Sequence, residues 1–177
     1  MMAEYFIPTF LDETGRITRA LHPADYGMDP DVWIHTHAGN PLLTAVETLL
    51  ALDGGSRLVW AGDYADPEAG HGANLYQLSQ PAQFVRIAGL VEQHITPNTP
   101  RPPIDVDAHT YVCNADRREY FDRTALPMDD YERHRSLLPA LTHHGHGRPG
   151  TWARNRVFVS ATRPASDWTR VPHLLFW

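Results

Sequence analysis

The chain contains no lysine; all 15 of its basic residues are arginine. That excludes Schiff-base chemistry on a lysine amine, Ser-Lys catalysis and the phosphate-loop lysine of nucleoside triphosphatases. A single cysteine, Cys113, leaves no internal disulfide and no multi-cysteine zinc or iron-sulfur site. It lies in the apolar run Tyr111-Val112-Cys113, the setting of an inert buried thiol. Apolar runs such as Leu49 to Leu52 fall far short of the ~20 residues that span a bilayer. The opening Met1-Met2-Ala3-Glu4 has neither the basic nor the apolar part of a signal peptide, so the expected setting is cytoplasmic, with no membrane partner. No Gly-x-Ser-x-Gly elbow is present.

What is there fits one ordinary domain, because 177 residues bury enough surface to need no covalent staple. Its 15 prolines predict long ordered loops. Charge is uneven: residues 1–70 carry 11 acids against 3 arginines, and residues 71–177 carry 10 acids against 12 arginines. Neither half makes the strongly basic face that duplex nucleic acid requires, so none is expected as a partner. Arg117, Arg118 and Arg123 read as the solvated arginines of a hairpin.

Periodicity and turn residues predict the elements. Tyr5 to Leu11 and Arg16 to Leu21, separated by Asp12-Glu13-Thr14-Gly15, form a hairpin. Val32-Trp33-Ile34 reads as a short strand ending on His35-Thr36-His37. Asn40 is a good N-cap and Pro41 fits the first helical position, so a helix over 41–52 follows, with Leu42, Leu43, Val46, Leu49 and Leu50 on one buried face. Arg57 to Ala61 is a strand, and the strand-helix-strand run suits a parallel pair with a crossover. Asn74-Leu75-Tyr76 belongs to a loop, Pro81 to Gln93 has helical spacing, and residues 96–103 read as a stiff proline-rich connector. Thr110 to Cys113 and Glu119 to Asp122 make a second hairpin, Arg156 to Ser160 a late strand, and Leu174 to Trp177 an apolar end. The expected class is α+β, with a mostly antiparallel sheet, one or two helices and long loops.

Chemistry concentrates in two segments, His35 to Asn40 and His143 to Gly150. In the second, Gly145, Gly147 and Gly150 permit close backbone approach, successive amides can cradle an anion, and Arg148 can pair with it bidentately. Asp63 and Tyr64 at a strand end, Asn40 at a helix start and Asn114 at a hairpin edge are candidates to complete a pocket, with Asp63 or His35 as general base. The remaining histidines show no pairing.

Trp33-Ile34-His35-Thr36-His37 resembles the metal strand of zinc-dependent JAB-type isopeptidases, which implies zinc on His35 and His37 with Glu47 in place of that family's aspartate. A broader resemblance runs through Ile34-His35-Thr36 with Gly39-Asn40, Val59-Trp60-Ala61-Gly62-Asp63-Tyr64-Ala65, Asn74-Leu75-Tyr76, Tyr111-Val112-Cys113-Asn114 with Glu119-Tyr120, and Leu141-Thr142 leading to Gly145-His146-Gly147-Arg148. These motifs are similar to those of a family of uncharacterised bacterial and phage proteins without assigned activity, implying one domain and a shared site.

Three readings follow. The first is a pocket for a small anionic or nucleotide-like ligand, formed by the glycine loop, His35, Asp63 and Arg148, with hydrolysis as an open extension. The second is a metal-dependent hydrolase using His35 and His37. The third is a protein-interaction module, phage-related in setting, whose exposed arginines and loops engage a partner.

Overall fold

A computed structural model describes residues 3–52, 54–80 and 110–172. The helix expected over 81–93, the connector 96–103 and the apolar end 174–177 lie outside the described residues. Strands β1 (Phe6–Leu11) and β2 (Ile17–Ala20) form the expected antiparallel hairpin. Asp12 closes its turn, its carboxylate accepting hydrogen bonds from the Thr14 and Arg16 amides at 2.9 Å. β3 (Ser56–Gly62) lies antiparallel to β1 on the other side, with Trp60 opposite Pro8. β4 (Tyr111–Asn114) and β5 (Glu119–Asp122) form the second expected hairpin.

Two short strands make the only parallel pairings among the described residues: β6 (His143–His144) against β3, and β8 (Thr169–Arg170) against β5. With β7 (Arg156–Ser160) the sheet runs β2-β1-β3-β7-β4-β5-β8, and β6 joins β3 off that path. β3 thus divides one edge between partners: Ser56 and Arg57 pair with β7, Trp60 and Ala61 with β6. The fold is α+β with a mostly antiparallel sheet, and no helix of the described residues is long and apolar enough to cross a membrane.

Alternation along the strands sorts side chains onto two faces. Phe6 and Phe10 of β1 and Leu58 and Trp60 of β3 join the main core, while Leu11, Val59 and Ala61 join a smaller cluster on the opposite face. The main core is covered by α2 (Pro41–Leu52), which contributes Leu42, Leu43, Ala45, Val46, Leu49 and Leu50. Its start is set by Asn40, whose Oδ1 accepts the Leu43 amide at 2.8 Å while Nδ2 donates to the His35 and His37 carbonyls, each at 2.7 Å. The smaller cluster is capped by α3 (Leu75–Leu78), through Leu75.

Two local expectations are corrected. Residues Val32–His35 form a one-turn helix, α1, not a strand, so no parallel β-crossover unit joins them to β3. Asp31 stabilises that turn by accepting the Trp33 amide at 2.9 Å, and Arg135 ties down the Trp33 carbonyl from a segment 102 residues away. Asn74 does not lie in a loop: it starts α3 through a capping box with Gln77, Oδ1 accepting the Gln77 amide at 2.9 Å.

Candidate functional site

The residues singled out by sequence do not share one place. His35, at the end of α1, is fully buried. The Trp60 indole donates to its Nδ1 at 2.9 Å, and Nε2 stands 2.7 Å from the Asp29 carbonyl. Because an indole N–H can only donate, Nδ1 is the acceptor and the ring proton sits on Nε2, directed at Asp29. Burial holds the imidazole pKa below its ordinary value, so the ring is neutral. Both nitrogens are committed, which leaves His35 no lone pair for a metal or a substrate proton in this arrangement.

His37 belongs to different surroundings. Its backbone bridges Arg135, and its pKa is lowered by burial first and then by the nearby Arg135 and Arg133 charges. Glu47 is buried on α2 in an ion pair with Arg123 at 2.7 Å. Each member of the proposed zinc set thus has its own protein environment. Among the described residues no group of three or more His, Cys, Asp or Glu side chains is placed to hold a metal ion.

Asp63 follows β3, and its Oδ1 and amide pair with the Tyr5 amide and carbonyl, each at 3.0 Å. Tyr64 beside it is exposed. Asn114 is buried, donating to Asn155 at 2.9 Å and accepting the Arg117 amide at 3.1 Å, a turn-holding role. In the glycine loop, the His146 amide donates to the Glu4 carboxylate at 2.6 Å. The anion met by the first part of the loop is therefore the chain's own. Gly145 accommodates that contact, since a Cβ there would overlap Glu4.

The second half of the loop faces elsewhere. From α4 (Leu138–Thr142) the chain enters β6 and returns, with the Gly150 amide bonded to the His143 carbonyl at 2.8 Å and the Trp152 amide to the Leu141 carbonyl at 2.7 Å. This return leaves Arg148, Pro149, Gly150 and Thr151 on one wall of a cleft of about 670 Å³. Ala140 and Leu141 line it from α4, Arg117 and Glu119 from the β4–β5 hairpin, and Thr169, Arg170 and Val171 from the β8 region. Among the described lining residues, three arginines against one glutamate give a formal charge of +2. Arg148 has no hydrogen-bond or ion-pair partner among the described residues and is exposed.

Glu119 is fixed at this cleft by both neighbours. Its Oε2 accepts the Trp152 indole N–H at 2.7 Å and the Arg117 Nε–H at 3.1 Å. Trp152 is itself fully buried, stacked on Phe121 with ring centres 5.9 Å apart.

Of the residues expected to hold a ligand, Arg148 and Gly150 line this cleft; His35, Asp63, Asn40, Tyr64, Asn114, Gly145 and Gly147 do not. Glu119 and Arg170 carry no site signal in the sequence, whereas Arg117, expected as a solvated hairpin arginine, is exposed on the hairpin and also lines the cleft. The pairing that unites them, Glu119 opposite Thr169 and Tyr120 opposite Arg170, spans 50 residues and carries no periodic signal. Comparison with protein-family models, curated proteins and solved structures finds no match.

Proposed function

We propose that the protein binds a small organic anion in the cleft between the 148–151 loop and β8, with Arg148 as the leading charged contact. The observation that carries this reading is an arginine without a partner among the described residues, beside a concave, net positive lining. Its volume falls within the roughly 300–1,000 Å³ of small-molecule sites. Leu141, Pro149, Val171 and Pro172 supply apolar wall, while Thr151 and Thr169 add hydroxyl-bearing side chains. A guanidinium matches phosphate or carboxylate geometry bidentately, which favours these groups over halide-like ions. The reading is one of binding: neither His35 nor Asp63, the candidate bases, lines the cleft.

Isothermal titration with orthophosphate, nucleoside monophosphates and dicarboxylates at low salt tests it. At least one of these should bind, and Arg148→Ala should weaken that binding about tenfold or more, the loss expected for one charge-assisted contact. Absence of binding by the whole panel, or equal affinity in the variant, overturns the proposal.

A further inference from the structure

We infer that the ligand of this cleft is a nucleotide whose base carries an exocyclic amino group, and that Glu119 is the residue that selects it. The inference rests on the anion-binding reading above and adds the chemistry of the ligand's other end.

A carboxylate is an unexpected lining group for a cleft that takes anions. Glu119 is held in place, because the buried Trp152 indole and Arg117 both donate to Oε2. Its side chain remains 23% exposed, and among the described residues no hydrogen bond reaches Oε1. The cleft therefore offers a fixed acceptor that nothing described satisfies, together with the unpartnered guanidinium of Arg148.

A simple anion gains at Arg148 and is repelled at Glu119. A ligand that places a negative group at one end and an N–H donor at the other gains at both, so the carboxylate rejects the first class and rewards the second. Leu141, Pro149, Val171 and Pro172 give the intervening part of such a ligand an apolar surface. A phosphate, a sugar and a flat amino-substituted base meet these demands in order, and carboxylates are natural acceptors for the cytosine amino group. At about 670 Å³ the space is ample for a mononucleotide.

Binding of cytidine and uridine monophosphates, and of adenosine and inosine monophosphates, should be compared by titration calorimetry on the wild-type protein. Each pair exchanges an amino group for a carbonyl at the same ring position. The amino member of at least one pair should bind tenfold or more tightly, and Glu119→Gln should bring that ratio to within about threefold, since an amide offers both donor and acceptor. Equal affinities within both wild-type pairs, with binding still dependent on Arg148, overturn this inference and leave the anion-binding reading standing. No binding of any nucleotide, with orthophosphate and dicarboxylates also inert, overturns both. The wild-type comparison decides the matter even if the glutamine variant does not fold.

Discussion

The Trp60 indole donates to Nδ1 of His35 across 2.9 Å in the main core, and this one bond dictates which nitrogen of the imidazole carries its proton. Protonation of Nδ1 would set two donors against each other. Replacing His35 with alanine leaves the indole N–H buried without an acceptor and opens a cavity, at a cost of about 3 kcal/mol. Urea unfolding at pH 8 measures it; a loss below about 1 kcal/mol would mean the pair contributes little.

The same burial gives stability a pH slope. His35, His37 and His144 all have folded-state values below the ordinary 6.5, each with burial as the largest cause. The unfolded chain therefore binds more protons as acidity rises, so their contribution is present above pH 6.5 and is lost as pH falls below it. The lowered carboxylates Asp12 and Asp129 act only near and below their ordinary 3.8. Between pH 7.5 and 5 the urea midpoint should fall, and a flat profile would contradict neutral, buried imidazoles.

Arg135 anchors the 127–136 loop from inside. It is fully buried, donates to the Trp33 carbonyl and the Thr36 hydroxyl, each at 2.9 Å, and lies 3.8 Å from the Trp33 ring centre. Asp129 receives its Nε–H at 2.8 Å; burial pushes that carboxyl upward, but hydrogen bonds from Arg133, Arg135 and Tyr131 outweigh it and hold it well below the usual range. Arg135→Met should lower the melting temperature by about 5 °C or more. It should also open the Arg133–His134 bond to trypsin, read by fragment mass, whereas wild type resists.

Two glycines of one loop should respond differently to alanine. A Cβ at Gly150 would meet the backbone carbonyls of Ala140 and Leu141, which cannot move without dislodging α4. The nearest atoms that a Cβ at Gly145 would meet belong to the Glu4 side chain, which can swing away at the cost of its bond to the His146 amide. Gly150→Ala should cost about 2 kcal/mol and Gly145→Ala less than about 1 kcal/mol by denaturant titration. The reverse order would mean that Glu4, not the α4 carbonyls, holds the loop.

Cys113 is fully buried on β4, and burial pushes its thiol up to about 12. Native protein should react with less than about a tenth of an equivalent of a disulfide reagent at pH 8, and unfolded protein with a full equivalent. Rapid native labelling would refute the burial.

Much of this architecture was legible from residue order. Asn40-Pro41 and the apolar spacing of Leu42 to Leu50 announce α2, and the Asp12 and Asn114 turns announce both hairpins. Val32 to His35 departs from the expected strand because four residues are too few to separate a helical from an extended period, and a distant arginine helps fix the turn. The His35-Thr36-His37 pattern ahead of a helix start points to a site, yet the partner of His35 is an indole 25 positions later, which no spacing rule foretells. The cleft was hidden for the same reason. Its walls come from parallel contacts too short to leave a pattern, and of its lining only the glycine-loop residues Arg148 and Gly150 carry a sequence signal.

Those walls belong to the β4–β5 hairpin, α4, the returning loop and β8, and the pairing of β8 with β5 completes the set. A molecule seated among them would grip the turn of the β4–β5 hairpin and β8 at once. Occupancy would then act as a clasp on the whole sheet edge: each tenfold rise in ligand above its dissociation constant would add about 1.4 kcal/mol against unfolding. Such a protein would report its ligand by how firmly β8 is held to β5.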